Sequence, residues 1–262
     1  KVPVPEALGL CQDKTVNGAD FYVMDFVEGV VLNDAVIGST IPAQARPDLA
    51  HNVIHILCDL HDVDMDAVGL GTLGRQEAYL SRQLNRWNKQ WQATKTHDIP
   101  EMEASSALLM ERIPEQLGAS IVHGDFRLGN MIVDQGRVEA ILDWELCTLG
   151  DPLADLGYLL NNWLGEDEVV GIDVADQPPT AVGGYPSRDT LCELYCQRTG
   201  RDLSNINYYR AFQHWRLAAI GQGVYKRYLV GAMGEDHGVD LARQKEGVAR
   251  RAEAAMELLQ TS

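Results

Sequence analysis

The sequence lacks the features that mark several large classes of protein. No apolar run in its 262 residues approaches the ~20 residues that a membrane-spanning helix needs. The first ten residues, KVPVPEALGL, contain two prolines and no apolar core of the kind found in a secretory signal. The five cysteines are odd in number and irregularly spaced, so no disulfide framework is expected. These absences predict a cytoplasmic protein without a membrane partner.

Positive charge is scarce as well. The chain has 22 Lys and Arg against 38 Asp and Glu, which gives a formal net charge of −16 at pH 7. A protein that binds nucleic acid through the phosphate backbone needs a basic surface, so nucleic acid is not expected as a partner. A nucleotide ligand is still compatible with this charge, because bound Mg²⁺ and a few local cations reverse the sign at one site.

Helical periodicity covers most of the chain, whose ordinary apolar and charged fractions indicate a globular protein with a sizeable core. Helices are expected over residues 43–61, 80–91, 101–113, 151–164, 187–199, 205–230 and 239–260. The stretch FYVMDFVEG (21–29) is expected to be a buried strand that ends in a turn. The acidic stretch 165–186, rich in Pro and Gly, is expected to be a long loop.

Three short strands interrupt the helical pattern in the middle of the chain. They are expected at residues 120–122, 131–133 and 138–142, and the sequence DQGR (134–137) suits a hairpin turn between the last two. The predicted fold is therefore α+β, mostly α, with a small central β-hairpin. A zinc site at His51 and His55 is disfavoured, since the HExxH signature needs a Glu after the first His.

The segment IVHGDFRLGNMIVDQGRVEAILDWE (121–145) combines the residue types that phosphoryl transfer requires. That reaction needs a carboxylate to orient the attacking hydroxyl, oxygen ligands for Mg²⁺, and cations that balance the developing charge. Asp125 suits the base, and Asn130 and Asp143 suit Mg²⁺, which takes few protein ligands. Arg127 is placed to neutralise the transferring phosphate, and a structural ion pair is its alternative role.

These motifs resemble a known family. HGDFRLGN followed by ILDWE is similar to the aminoglycoside phosphotransferase/choline kinase-like family, relatives of protein kinases in which Gly replaces the Arg of His-Arg-Asp. FYVMDFVEG resembles its hinge strand, LHDVD the end of its first large-lobe helix, and GDPLADLGY the helix after its metal-binding strand. The tail RLAAIGQGVYKRY resembles the branch whose kinase domain is fused to, or encoded beside, acyl-CoA dehydrogenases, which implies a functional link to such an enzyme.

The resemblance implies a role for each polar residue of the central segment. Asp125 would be the catalytic base, and Asn130 with Asp143 would hold Mg²⁺. His123 would pack against the loop and hydrogen-bond it. Glu145 would contact the metal or the acceptor.

The resemblance also implies a two-lobed kinase architecture. Residues 1–30 would be the end of the N-terminal lobe and the hinge strand, where the carbonyl of Asp25 and the amide of Val27 would face the adenine of ATP. Residues 31–262 would be the helical C-terminal lobe, with its catalytic loop at 121–145. The family's phosphate-covering loop and strand Lys do not precede Lys1, so the N-terminal β lobe is expected to be largely absent and the chain to bind ATP poorly.

The expected function is therefore that of an ATP- and Mg²⁺-dependent kinase acting on a hydroxyl of a small molecule. The branch resemblance implies a hydroxyacid or hydroxyacyl-CoA acceptor. Two alternatives are an aminoglycoside-type antibiotic kinase and a pseudokinase-like module that binds a nucleotide without transfer. The intact set of Asp125, Asn130 and Asp143 argues against the pseudokinase, and the absence of GxSxG argues against a hydrolase.

Overall fold

Helices dominate the architecture. The structure, a computed structural model, describes residues 2–165, 168, 177–233 and 238–261. The helices in these ranges are α1 (Lys14–Asn17), α2 (Ala35–Gly38), α3 (Arg46–His61), α4 (Tyr79–Thr94), α5 (Pro100–Glu111), α6 (Leu153–Asn161), α7 (Arg188–Thr199), α8 (Ile206–Leu229) and α9 (Leu241–Gln260). The strands are β1 (Ala7–Cys11), β2 (Phe21–Met24), β3 (Val30–Val31), β4 (Ser120–Val122), β5 (Met131–Asp134), β6 (Arg137–Ile141) and β7 (Thr148–Gly150). The predicted α+β class, mostly α, is confirmed.

The chain divides into two compact units. The first, here called the hairpin unit, comprises Lys1–Val63, His123–Cys147 and Asn162–Gly200. The second, the helical unit, comprises Asp64–Val122, Thr148–Asn161 and Arg201–Ser262. Every residue predicted for the active site lies in the hairpin unit. The division of the chain after residue 30, implied by the resemblance, stays a prediction.

The hairpin unit is built around a three-stranded antiparallel sheet in the order β3-β5-β6. The turn between β5 and β6 has positive φ at Gln135 (46°) and Gly136 (77°), as expected for a two-residue hairpin loop. The amide of Ile141 donates to the carbonyl of Pro3 at 3.0 Å, which ties the start of the chain to β6. The predicted central hairpin is confirmed.

The strand predicted at residues 21–29 is shorter and more exposed than expected. β2 spans Phe21–Met24 and pairs with β1 in a two-stranded antiparallel ribbon. Tyr22 is 64% exposed and Phe26, beyond the strand, is 88% exposed. The expectation of a buried strand is wrong, because a two-stranded ribbon buries a face only where another element covers it.

Helix α3 provides much of the buried surface of the hairpin unit. Its predicted core residues Leu49, Val53 and Leu57 are fully buried, whereas His51 and His55 are exposed. At its C-terminal end, the Nδ1 atom of His61 lies 2.8 Å from the hydroxyl of Tyr195 on α7. The apolar stripe predicted from the spacing is confirmed, and the two histidines are solvent-facing.

The loop predicted at residues 165–186 lies partly outside the described residues. Its described end, 177–186, contains a 3-10 turn at Pro179–Val182 and is fixed by Arg46, which donates to the carbonyls of Val182 (3.0 Å) and Gly183 (2.9 Å). Burial raises the pKa of Tyr185 to about 12, although the nearby Arg46 opposes this shift. This part of the loop is therefore an ordered, partly buried segment.

The helical unit packs α4, α5, α6, α8 and α9 around a core that includes the fully buried Trp91 and Trp215. Strands β4 and β7 pair antiparallel beside it. Asp151 caps α6 as predicted, since its Oδ1 accepts the Leu153 amide at 3.1 Å and its Oδ2 accepts the Tyr209 hydroxyl at 2.7 Å. In the part of the chain that the structure describes, no helix is long and apolar enough to cross a membrane.

None of the five cysteines, all of which lie within the described residues, forms a disulfide. Cys192 and Cys196 lie one turn apart on α7, as a plain helix face would place them.

Candidate active site

His123 holds the centre of the predicted catalytic loop. Its ring is fully buried, and it lies against Trp144 (4.7 Å between ring centroids) and Phe126 (6.0 Å). The amide of Asp125 donates to Nδ1 at 3.2 Å, and Nε2 lies 2.9 Å from the carbonyl of Leu142. Because Nδ1 accepts a hydrogen bond and Nε2 faces a carbonyl, these contacts assign the proton to Nε2. The ring therefore bridges the loop and the end of β6.

Gly124 is required by the backbone. Its φ is 85°, in the left-handed region that side chains disfavour. A Cβ atom at this position would lie 2.9 Å from both the Cβ and the carbonyl oxygen of Leu146, closer than real contacts allow. The Gly of His-Gly-Asp thus lets the loop pass close under Leu146.

Asp125 and Asn130 form a fixed pair. Asn130, almost fully buried, donates through Nδ2 to the Asp125 carbonyl oxygen and to its Oδ2, both at 2.8 Å. The other carboxylate oxygen, Oδ1, is buried and accepts no hydrogen bond within the described residues. One carboxylate oxygen is therefore clamped, and the other keeps its capacity to accept a proton.

Arg127 lies beside the unclamped oxygen. Its Nε is 3.5 Å from Asp125 Oδ1, and the side chains of Arg127 and Asp125 are 34% and 19% exposed. At 3.5 Å this is an ion pair without a formed hydrogen bond. Arg127 thus makes an ion pair, which was the alternative predicted for it, and its guanidinium still reaches solvent.

Asp143 is placed by the hairpin. The amide of Leu142 donates to the Asn130 carbonyl at 2.8 Å, and the Leu142 carbonyl faces His123 Nε2. Asp143 follows in a left-handed conformation (φ 66°, ψ 57°), which Asp tolerates better than most residues. Its side chain makes no hydrogen bond or ion pair in the described part of the chain. Asn130 and Asp143 thus share one end of the hairpin.

The remaining predicted residues are Glu145, Asp25 and Val27. Glu145 is exposed in a 3-10 turn (Trp144–Leu146), and Asp25 and Val27 lie between β2 and β3. Among the described residues, no hydrogen bond or ion pair links these three to His123, Asp125 or Asn130. The segment that holds Asp25 and Val27 leads into β3, which pairs with β5, the strand that begins directly after Asn130.

The donor set fits a hard cation. Asn130 keeps its Oδ1 oxygen, since its Nδ2 group is used by Asp125, and Asp143 offers a carboxylate at the same end of the hairpin. Within the described residues, no group of three or more His, Cys, Asp or Glu could hold a metal. One amide oxygen and one carboxylate are a donor set that suits Mg²⁺, which binds through one or two protein oxygens and completes its shell with water and substrate phosphates.

Three contributors to the site were not predicted. Leu142 acts through its backbone, Trp144 packs on the His123 ring, and Gly129 lies under the Arg127 guanidinium. The residue types of Trp144, directly after Asp143, and of Gly129, directly before Asn130, could have indicated these two roles. The backbone role of Leu142 carries no signal in its residue type.

Comparisons with known proteins identify the family to which this chain belongs. Residues 1–188 match the family model described as "Phosphotransferase enzyme family". Acyl-CoA dehydrogenase family member 10 of Mus musculus is 39% identical over 234 residues, which cover 88% of this chain. The same match covers 22% of the mouse protein, so the chain spans less than a quarter of that relative's length.

Solved structures show the same fold. A candidate aminoglycoside phosphotransferase from Ralstonia eutropha JMP134 has a TM-score of 0.84 at 34% identity, covering 100% of this chain and 79% of that chain. A ternary complex of a thermostable mutant of aminoglycoside phosphotransferase APH(4)-Ia with AMP-PNP and hygromycin B has a TM-score of 0.62 at 17% identity, covering 98% and 77%. At that identity, the second match shows a shared fold alone.

Proposed function

Because this chain belongs to the phosphotransferase enzyme family, we propose that it transfers the γ-phosphoryl group of ATP to a hydroxyl of a small molecule. The observation that carries the proposal is the arrangement of Asp125. Its Oδ2 is clamped by Asn130, while its buried Oδ1 accepts no hydrogen bond within the described residues.

Asp125 is the base of this reaction. The acceptor hydroxyl donates its hydrogen bond to Oδ1, which orients the oxygen toward the γ-phosphorus. As the new O–P bond forms and the bond to the ADP oxygen breaks, the hydroxyl proton passes to Oδ1. Asn130 keeps the carboxylate from rotating, and the Arg127 guanidinium balances negative charge on the transferring phosphoryl group.

Asn130 Oδ1 and the Asp143 carboxylate are the proposed Mg²⁺ ligands. Bound there, Mg²⁺ would neutralise charge on the phosphate oxygens. Glu145, exposed two residues after Asp143, is proposed to contact the metal or the acceptor. The Asp25 carbonyl and the Val27 amide are proposed to face the adenine.

The proposed acceptor is a hydroxyacid or a hydroxyacyl-CoA. Support comes from the relatives, since the domain that matches this chain is part of proteins named as acyl-CoA dehydrogenase family members. An aminoglycoside is the second candidate, supported by the similarity to the Ralstonia eutropha protein. The proposed functional link to an acyl-CoA dehydrogenase belongs to the first of these two acceptors and not to the aminoglycoside.

The test is ATP consumption across a panel of hydroxyacyl-CoAs, free hydroxyacids and aminoglycosides, with Mg²⁺ present or removed by EDTA. Turnover should appear with the first two classes and vanish without the metal. Asp125→Asn, which keeps the size of the side chain, should lower kcat by a factor of ~10² to 10⁴. Asp134→Asn, an exposed carboxylate in the same hairpin, is the matched control and should leave kcat unchanged.

Three outcomes would count against the proposal. Turnover within about tenfold of wild type in Asp125→Asn would remove Asp125 as the base, since general bases contribute ~10² or more. Turnover only with aminoglycosides would reverse the order of acceptors. Nucleotide binding with no transfer to any acceptor would favour the pseudokinase-like module.

A further inference from the structure

We propose that Gly129 is a positioning residue, whose missing side chain leaves the space in which the guanidinium of Arg127 rests beside Asp125. A Cβ atom at position 129 would lie 2.1 Å from Arg127 Nη1 and 2.9 Å from its Cζ. With any side chain at position 129, the Arg127 guanidinium could not occupy its present position. The inference rests on the proposed function, in which Arg127 balances phosphoryl charge.

The backbone does not demand a glycine here. Among the described residues, the glycines with positive φ include Gly124 but not Gly129. Alanine at position 129 is therefore compatible with the local conformation, in contrast to position 124. What the glycine supplies is volume for a neighbouring side chain.

The atoms that would meet a new side chain are all ends of flexible groups. Apart from the Arg127 guanidinium, the nearest heavy atom to the added Cβ is Asn33 Oδ1, at 3.3 Å. Alanine would therefore push the guanidinium away and leave the fold in place. Gly129→Ala is thus a means of displacing Arg127 without changing any charge.

Displacement matters because of where Arg127 Nε lies. It is 3.5 Å from Asp125 Oδ1, the oxygen that takes the acceptor proton in the proposed reaction. A long side chain that is 34% exposed would sample many rotamers without a surface to rest on. The space over the bare Cα of Gly129 admits the rotamer that holds the cation beside the point where phosphoryl charge develops.

A double-mutant cycle on the intact protein tests the inference. Gly129→Ala should lower kcat about tenfold with the KM for MgATP nearly unchanged, because a cation moved by about 1 Å or more loses its effect on the transition state. In the Arg127→Ala background, Gly129→Ala should change kcat by less than about twofold, since no guanidinium is left to displace. The assay uses whichever panel acceptor supports turnover.

Controls separate this role from a structural one. Gly247→Ala on α9, where an added Cβ would meet no atom within 4 Å, should leave kcat unchanged. The urea midpoint of Gly129→Ala should equal that of wild type. Equal losses of kcat in the wild-type and Arg127→Ala backgrounds, or wild-type kcat in Gly129→Ala, would overturn the inference.

A second readout does not depend on turnover. The Nε–Hε cross-peak of Arg127, assigned by its loss in Arg127→Ala, should move in ¹⁵N spectra of Gly129→Ala and stay in place in Gly247→Ala. An unmoved cross-peak overturns the inference even if the protein is an active kinase. A moved cross-peak in a protein that transfers phosphate to no acceptor sustains the packing role and removes the proposed function instead.

Discussion

Replacing His123 with alanine tests how the catalytic loop is held. The ring is fully buried, and its two nitrogens bridge the Asp125 amide (3.2 Å) and the Leu142 carbonyl (2.9 Å). Alanine would leave that amide and that carbonyl without their partners in a partly buried place. Because Leu142 precedes Asp143, the change disturbs the proposed base and a proposed metal ligand together.

The magnitude follows from the contacts. A buried group left without a hydrogen bond costs ~1 to 3 kcal/mol, and the lower half of that range applies to these two partly buried groups. Loss of the ring that packs on Trp144 adds a cavity cost of about 2 kcal/mol, reduced where the neighbours relax. We therefore expect His123→Ala to lower the free energy of unfolding by roughly 3 to 5 kcal/mol, against a typical total of about 5 to 15 kcal/mol.

The assay is urea unfolding followed by tryptophan fluorescence, with kcat measured in parallel. Two conservative variants separate the contributions of the two hydrogen bonds. In His123→Asn the side-chain oxygen can replace Nδ1 as acceptor, and in His123→Gln the side-chain amide can replace Nε2 as donor. Each should recover part of the lost stability. His51→Ala, an exposed histidine on α3, is the control and should change stability by less than about 0.5 kcal/mol. A loss of less than about 1 kcal/mol for His123→Ala would refute the reasoning, since the two partly buried hydrogen bonds should together contribute more than that.

Two further predictions concern the loop and the helical unit. Gly124→Ala should lower the free energy of unfolding by ~1 to 3 kcal/mol, because φ is 85° and the added Cβ meets a backbone carbonyl at 2.9 Å; an unchanged urea midpoint would contradict this. Burial raises the pKa of Glu103, but hydrogen bonds from Trp91 and Lys95 outweigh burial and hold the pKa below its ordinary 4.5. The ionised group thus stabilises the fold above about pH 4.5 and loses that effect as the pH falls. Glu103→Gln should lower the urea midpoint at pH 7, and its difference from wild type should shrink as the pH falls below 4.5; a constant difference across pH would contradict the assignment.

The sequence predicted most elements because their patterns are local. Apolar spacing indicated α3 and α4, and the DQGR turn indicated the hairpin, since these signals depend on residues a few positions apart. The resemblance to the phosphotransferase family and to the branch associated with acyl-CoA dehydrogenases is confirmed by the family match and by the relatives. The burial of β2 was predicted wrongly, because an apolar run does not reveal whether another layer covers it.

The site was predictable to the extent that it is a linear motif. Asp125 and Asn130 lie five residues apart in one loop, and the 3-10 turn Leu128–Asn130 brings the side-chain amide of Asn130 back onto Asp125. The contacts that hold the loop were not predictable, because Leu142 acts through its peptide groups. The position of the Arg127 guanidinium above Gly129 depends on a side-chain rotamer, which the spacing of residues in the sequence does not specify.

The hairpin explains how one segment can bring residues 13 positions apart in sequence to one place. Met131 pairs with Ile141, so Asn130 and Leu142 lie opposite each other just beyond the pairing, joined by the 2.8 Å bond between the Leu142 amide and the Asn130 carbonyl. A shift of one residue in this register would turn the side chains of β6 to the other face and carry Asp143 away from Asn130. The register also includes an irregularity between Ile132 and Val133: Ile132 pairs with Ala140, whereas Val133 pairs with Val138. The proposed metal ligands thus depend on a strand pair in which Met131 and Ile141 are fully buried, and a substitution of either residue can disable the site without touching a ligand.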